Sequence, residues 1–452
     1  MHAEGGFDEE RTLYAVRCIA SDKKKHEQIR EAFGARGMVV QVPGSKSITN
    51  RALLLATLAE GRSVLRGALF SDDSRYLLSC IRELGFSMHV DEAKRRIEIS
   101  GCGGRVPKEE ASVYVGSAGT AARFLSAYLG VSQGTYHLDA SSQMRRRPMA
   151  PLLHCLRELG CAVRCEETED HFPFTLSGNG FGTQQITVDI KDSSQFLSAL
   201  LIVSVLARQG LSIQVQGSHG MAYIEMTEKM MAQFGVCLQR SAENCYHITA
   251  GQRYQAREYQ IEPDASAACY FYAMAPLLGI RVLVEQVHFA SLQGDVEFLR
   301  ILQRMGCQVQ EEAAGIAVSG PVDGRFRGVD ADLSACSDQA ITLAALAPFA
   351  DGPTVIRGIG HIRHQESDRM SAIATELGKM GITCQMGADF IRIEPGRPRP
   401  TVVETYEDHR IAMGFSLIGL RAEGIVISNP LCCKKTFEEY FDVLDQLFWR
   451  KR

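Results

Sequence analysis

Lys46 and Arg51 lie in "VPGSKSITNRALLLATLAEG" (residues 42–61), behind a Pro-Gly turn and among the hydroxyls of Ser45, Ser47 and Thr49. Two cations and three hydroxyls on the opening turns of an apolar helix describe an anion site. Unpaired N–H groups and the helix dipole attract negative charge there, worth about 0.3–1 kcal/mol when exposed and more with cations alongside. The spacing is not that of a nucleotide-binding P-loop, because Ser45 separates Gly44 from Lys46 and position 39 is Val. Taken alone, the stretch is equally compatible with an ordinary Ser-capped core helix.

Comparable openings recur along the chain. "GSAGTAARF" carries Ser117 to Thr120 with Arg123, "DSSQF" carries Ser193, Ser194 and Gln195, and three further openings carry Asp264, Asp338, and Asp408 with Arg410. A single Asp in such a place is ordinarily an N-cap. Intervening loops read "SDDSR", "MRRRPM", "HIRHQESDR" and "LCCKKTF". Each is by itself a solvated charge run, but together they put cations in the same segment of several units. Arg forks, Lys and Ser hydroxyls with a few carboxylates suit substrates bearing phosphate and carboxylate groups, the side-chain carboxylates serving as acid or base. No Ser/His/Asp order, HExxH or GxGxxG is present, and the pair His361 and His364 is a weak metal candidate.

These openings belong to a repeat. The phrases "LRELGFSMHV", "LRELGCAVRC", "MAQFGVCLQR", "LQRMGCQVQE" and "LGKMGITCQM" place Gly85, Gly160, Gly235, Gly306 and Gly381 at intervals of 75, 75, 71 and 75 residues. Each reads as the C-terminal glycine of a helix entering a β-hairpin. The openings at Gly44, Gly116, Asp192, Asp264, Asp338 and Asp408 step by 72, 76, 72, 74 and 70. Their helices are apolar nearly all round, which predicts interior helices wrapped by sheet. A strand such as "RSVLRGA" or "IRVLVEQ" joins the two helices of a unit. The sixth unit runs short of strands, and "LYAVRCIA" and "MVVQV" near the N-terminus could complete it, with "SDKKKHEQIREAFGARG" between them as a helix with a charged outer face. Six such units form either a solenoid or two lobes of three, which pattern alone leaves open.

Composition bounds the rest. A chain of 452 residues, 45% hydrophobic, is long enough for more than one core. Its 49 Lys+Arg against 53 Asp+Glu give a net charge of -4, which argues against a nucleic-acid binder that relies on phosphate neutralisation. Fourteen cysteines without a CxxC pair predict no zinc site and fit a reduced cytoplasmic protein. The acidic "MHAEGGFDEERTLY" has no apolar core, so no export signal is expected, and no run reaches the ~18 apolar residues of a membrane span.

The combination "PGSKSITNRALLLATLAEG", "GSAGTAARF", "RRRP", "DSSQFLSALL", "SDQA", "ESDR", "EDHRIAMGFSL" and "KKTF", in this order from about residue 38 onward, resembles the 5-enolpyruvylshikimate-3-phosphate synthases. The resemblance implies an α/β fold, a two-lobed inside-out α/β barrel of six βαβαββ repeats, three per lobe, with the helices interior. One lobe would comprise residues 1–43 and 263–452, the other residues 44–262. It implies transfer of the enolpyruvyl group of phosphoenolpyruvate to the 5-hydroxyl of shikimate-3-phosphate through a tetrahedral intermediate. No metal or organic cofactor, nucleic-acid partner or membrane is implied, and a monomer is expected. Lys46, Ser47, Arg51, Ser193, Ser194, Gln195, Tyr223, Asp338 and Gln365 fall where shikimate-3-phosphate is held. Lys46, Gly119, Arg147, Gln195, Arg369, Arg410 and Lys435 fall where phosphoenolpyruvate is held. Lys46, Asp338 and Glu366 take the catalytic roles, Asp338 receiving the hydroxyl proton and Lys46 or Glu366 protonating the methylene carbon. Glyphosate would occupy the phosphoenolpyruvate site, Gly119 leaving it room.

Five positions depart from the common pattern: Ser117, Phe124, Gly220, His361 and Gln365. Gln365 replaces a Lys, so contacts to shikimate-3-phosphate are expected to be thinner, with His361 or His364 lending charge below their ~6.5 reference pKa. The alternatives weighed are a UDP-N-acetylglucosamine enolpyruvyl transferase, whose Lys-Asn opening is Lys46-Ser47 here and whose Cys-bearing loop has no match, a non-catalytic anion-binding relative, and an RNA-end cyclase, against which the acidic balance speaks.

Overall fold

The computed structural model describes residues 13–449 except 219, 242–243 and 322. The expectations for residues 1–12 and 450–452 lie outside the described residues. The fold is α/β. Among the described residues there are six small sheets, five of four strands and one of three. None of the described helices is long and apolar enough to cross a membrane.

The repeat read from the glycines is built from one local recipe. Gly85, Gly160, Gly235, Gly306 and Gly381 all stand at positive φ, between 79° and 110°, at the ends of helices, where a side chain would be strained. After each, the chain makes an antiparallel hairpin: Met88–Asp91 with Arg96–Cys102, Ala162–Cys165 with Phe174–Gly178, Gln239–Ser241 with Cys245–Ile248, Gln308–Glu312 with Gly315–Ser319, and Cys384–Met386 with Phe390–Ile393. The inner strand of each hairpin pairs with the strand that precedes the helix, as Arg96–Cys102 does with Glu60–Arg66. That strand takes a parallel neighbour on its other side, as Gly134–Asp139 does with Glu110–Tyr114.

Six inner helices run through the molecule, and they are numbered here first to sixth: Lys46–Leu58, Gly119–Val131, Gln195–Val203, Ala265–Leu278, Ala340–Leu346 and His409–Gly419. Every residue of the second, fourth, fifth and sixth is buried. This is the structural counterpart of a sequence that is apolar on all faces.

The two N-terminal strands divide their labour differently from the expectation that both complete the sixth unit. Leu13–Ala15 does pair antiparallel with Ile425–Ser428 of that unit. Met38–Val40 instead joins Arg281–Glu285 of the fourth unit, in parallel. Glu258–Gln260 likewise lies parallel to Glu60–Arg66 of the first unit. The helix expected between the N-terminal strands is present at Lys23–Phe33, capped by Asp22 and burying only Phe33.

Apolar side chains gather into two clusters. One is drawn from residues 48–261 and the other from residues 16–42 together with 265–444. The chain passes between them twice, and the two passages bond to each other. Ser45 N–H donates to the Glu262 carbonyl and Asp264 N–H to the Pro43 carbonyl, both at 2.8 Å. The Glu262 carboxylate is fixed by Ser291 Oγ–H at 2.6 Å, and Gln293 Nε2–H donates to the Pro263 carbonyl at 2.7 Å. Gly44 sits so close to the Gly67 carbonyl that a Cβ would overlap it. Gly44→Ala must therefore displace backbone, and overpacking of this kind costs roughly 1–3 kcal/mol. A lowered melting temperature for this variant is expected; one equal to wild type would show that the crossing yields to a methyl group.

Candidate active site

The inner helices place their polar openings around one cavity. Lys46, Ser47 and Arg51 of the first helix, Gly119 of the second, Ser193 and Ser194 ahead of the third with its Gln195, Asp338 ahead of the fifth and Arg410 of the sixth all line it. Arg147, Tyr223, Gln365, Glu366 and Arg369 line it from the outer segments. Of the residues assigned from sequence to the substrates or to catalysis, only Lys435 is outside the lining. It stands behind Glu366, its Nζ 3.5 Å from Glu366 Oε1.

The three openings with Asp behave differently. Asp264 and Asp408 are N-caps, accepting from Ala267 N–H at 2.9 Å and Arg410 N–H at 3.0 Å. Asp338 is not a cap. Its carboxylate lies 3.0 Å from Arg369 Nη1 and 2.7 Å from Arg410 Nη2, and it accepts from Tyr223 Oη–H at 2.6 Å. Burial raises its proton affinity, but the two guanidiniums and the phenol outweigh this and hold it well below the usual carboxylate range. Tyr223 belongs to the segment 44–262 and Asp338 does not, so this bond joins the two apolar clusters. Gln143 Nε2–H makes a second such link, donating to the Glu366 carbonyl at 3.2 Å.

Arg369 is also forked onto Asp408, with Nε 2.8 Å from Oδ2 and Nη2 3.2 Å from Oδ1, and its Nη1 donates to the Gln365 side-chain oxygen. Glu366 accepts from His409 Nδ1–H at 2.8 Å. Despite burial it is held well below the normal Glu value by His409 and Lys435. Burial lowers the His409 pKa, and the Glu366 carboxylate beside it pulls the other way. Lys46 Nζ is 3.5 Å from Asp73 Oδ2, and Lys46 N–H donates to Asp264 at 3.2 Å.

The opposite wall is different in kind. Arg51, Arg123 and Arg147 are in no salt bridge among the described residues. Arg51 donates to neutral acceptors instead: Thr227 Oγ1 at 2.8 Å, the Ser47 carbonyl at 3.1 Å, the Tyr223 carbonyl at 3.2 Å and Ser198 Oγ at 3.3 Å. Burial pushes its pKa down to about 10, which leaves it charged at neutral pH. The Nε atoms of Arg123 and Arg147 are buried without a partner. A Cβ at Gly119 would lie 2.5 Å from Arg147 Nη1 and 3.0 Å from Arg123 Nη1, so this glycine keeps the space before both guanidiniums open.

Asp73 and His409 were not singled out from sequence as site residues, and Arg123 was named only as the cation of its helix opening. Asp73 stood in the "SDDSR" loop, the same segment that carries site cations in other units, which was the available signal. His361 does not supply charge as expected: it bonds Ser337 Oγ at 2.9 Å, and burial lowers its pKa to about 4. Gln365 is a neutral acceptor for Arg369, so the missing Lys is replaced by a contact within the wall. Glu366, Asp408 and His409 bring potential metal-ligand atoms within 4.8 Å of one another, while neither His361 nor His364 belongs to such a group among the described residues. The charges of Glu366 and Asp408 are already met by Lys435 and Arg369.

Replacing Asp338 by Asn would leave Arg410 without a carboxylate and Arg369 with only Asp408. Breaking a buried pair in this way costs roughly 3–5 kcal/mol. Because the folded-state pKa is depressed, the carboxylate's contribution is complete above the unfolded value of about 3.9 and is lost as pH falls toward the folded value. The melting-temperature gap between wild type and Asp338→Asn should thus be constant from about pH 6 to pH 8 and shrink below about pH 4. A gap that persists in acid would deny the ion pairs their role.

A family model for EPSP synthase (3-phosphoshikimate 1-carboxyvinyltransferase) matches residues 35–444. The 3-phosphoshikimate 1-carboxyvinyltransferase of Nostoc sp. (strain PCC 7120) is 44% identical over 403 residues, covering 89% of this chain and 94% of the relative. The chloroplastic enzyme of that name from Brassica napus is 37% identical over 454 residues, covering 97% and 88%. Among solved structures, an EPSP synthase from Acinetobacter baumannii superposes with a TM-score of 0.75 at 26% identity, covering 91% of this chain and 96% of that one.

Proposed function

The chain belongs to the EPSP synthase family and transfers the enolpyruvyl group of phosphoenolpyruvate to the 5-hydroxyl of shikimate-3-phosphate, releasing phosphate; we propose that the cavity between its two apolar clusters carries this reaction. The observation that supports the assignment is the asymmetry of that cavity. Three guanidiniums without carboxylates, Arg51, Arg123 and Arg147, face a wall where Arg369 and Arg410 grip Asp338. Two polyanionic substrates answer such a surplus of positive charge.

In this reading Ser47, Arg51, Ser193, Ser194, Tyr223 and Gln365 hold shikimate-3-phosphate. Arg147, Arg369, Arg410 and Lys435 hold phosphoenolpyruvate beside Gly119, and Lys46, Gln195 and Asp338 lie between the two. Asp338 takes the proton of the 5-hydroxyl as its oxygen attacks the central carbon of phosphoenolpyruvate, and a proton is delivered to the methylene carbon. The tetrahedral intermediate then loses phosphate and a methyl proton to give the enol ether. Held by two guanidiniums, Asp338 is a weak base. An anion that draws Arg369 and Arg410 toward itself loosens that hold and raises the proton affinity of Asp338, so the base strengthens once the cosubstrate is seated. Of the two groups weighed as proton donor, Glu366 is kept ionised by His409 and Lys435, which favours Lys46.

The same reading takes the architecture as two lobes of three βαβαββ repeats with helices inside, divided at 43 and 262, and supported by the two apolar clusters and the paired crossings. It takes the protein as a monomer of the cytoplasm acting on small molecules, without nucleic acid or membrane.

Phosphate release from phosphoenolpyruvate should require shikimate-3-phosphate. Lys46→Ala and Arg410→Ala should each lower turnover about 10²–10³-fold with the fold intact. Wild-type turnover in either variant would remove the assignment. Glyphosate should compete with phosphoenolpyruvate, and Gly119→Ala should relieve the competition, because its methyl group enters the space before Arg147 and Arg123. Undiminished inhibition of Gly119→Ala would place the inhibitor elsewhere.

A further inference from the structure

Two of the cavity's buried guanidiniums are paired with aromatic rings, where those of Arg369 and Arg410 are paired with carboxylates. The Arg51 guanidinium carbon lies 5.5 Å from the centre of the Phe124 ring, and that of Arg123 lies 5.8 Å from the centre of the Phe196 ring. Each pair spans neighbouring inner helices, first to second and second to third. Arg51 and Arg123 are 72 residues apart, and so are Phe124 and Phe196. Both arginines are almost wholly buried, at 2% and 1% exposure, and both rings are fully buried. The Arg369 and Arg410 guanidiniums, by contrast, lie against Asp408 and Asp338.

We infer that Phe124 and Phe196 are positioning residues, whose ring faces hold Arg51 and Arg123 oriented and charged while leaving them free of any carboxylate, so that their positive charge is available to a substrate anion. A carboxylate in either place would also stabilise the buried cation, but it would compete with the substrate for the guanidinium. A ring face attracts a cation through its quadrupole and carries no net charge to repel an approaching anion. The neutral acceptors around Arg51, which are Thr227, Ser198 and two carbonyls, do the same for its N–H groups. This inference rests on the placement of Arg51 against shikimate-3-phosphate.

The test is calorimetric binding of shikimate-3-phosphate to the full chain, with the melting temperature followed in parallel. A desolvated cation–π contact contributes enough to change binding by roughly tenfold or more. Phe124→Leu should weaken binding by about that factor, and Phe124→Tyr, which keeps the ring, should restore it. The same Phe124→Leu change made in an Arg51→Gln background should have no further effect on binding. Equal weakening in both backgrounds, or equal loss in the Leu and Tyr variants, would overturn the inference and leave Phe124 as packing only. Should Arg51→Gln bind shikimate-3-phosphate as well as wild type, the placement of Arg51 itself fails and the inference falls with it. Variants that melt far below wild type are replaced by the pair Phe196→Leu and Phe196→Tyr. There the loss should appear in the KM for phosphoenolpyruvate with the ring restoring it, and an unchanged KM would overturn the inference for Arg123.

Discussion

Helices that are apolar on every face can be hidden only by wrapping them completely, and a helix hidden along its length can show polar groups only at its ends. That constraint organises the whole molecule. The hairpins and their parallel neighbours supply the wrapping, and the glycines at positive φ let each outer helix turn directly into its hairpin. The N-terminal ends of the inner helices are then the one place where Ser, Lys, Arg and Asp can gather without disturbing the interior. The cavity is what such a packing leaves over where the ends meet.

Gathering so many cations has an electrostatic cost, and the structure meets it in two ways. On one side the guanidiniums of Arg369 and Arg410 and the ammonium of Lys435 lie against carboxylates, whose pKa values those contacts lower, Asp338 and Glu366 far below the ordinary range. On the other side Arg51 is bonded to hydroxyls and carbonyls, and Arg123 to the Gly119 and Pro148 carbonyls, with no carboxylate near. The first wall is internally neutralised. The second is a standing demand for negative charge, and the demand is local, since the chain as a whole carries -4.

How much of this could be read from the sequence follows from which signals are periodic. The repeat, the buried helices, the hairpins and the convergence of Lys46, Arg51, Ser193 and Asp408 on related positions were legible because spacing and apolarity carry them. Pairing across long distances was not: nothing in "MVVQV" says that its partner is Arg281–Glu285 and not the last strand, because a short apolar strand fits several edges equally. Local pattern did not separate Asp338 from Asp264, since both are acidic residues at helix openings; the family resemblance singled out Asp338, and in the structure the arrival of Arg369 and Tyr223 from elsewhere sets it apart. His361 looked like a source of charge until its burial was known, and Asp73 looked like solvated charge until Lys46 was seen beside it. Resemblance to the family supplied Tyr223, which no local pattern marks.

The strands that cross between the clusters also set an order of events during synthesis. Segment 44–262 emerges with nearly everything its sheets need, because Glu258–Gln260 closes the first of them as the segment ends. Met38–Val40, made earlier, has no partner until Arg281–Glu285 appears, and Leu13–Ala15 waits for Ile425–Ser428, the last strand made among the described residues. At ribosomal rates of about 5–20 residues per second, those early strands stay unpaired for times on the order of tens of seconds. The nascent chain therefore carries a folded middle flanked by an open N-terminal arm. The sheet edges of that arm must be kept from other chains until the C-terminal half has left the ribosome.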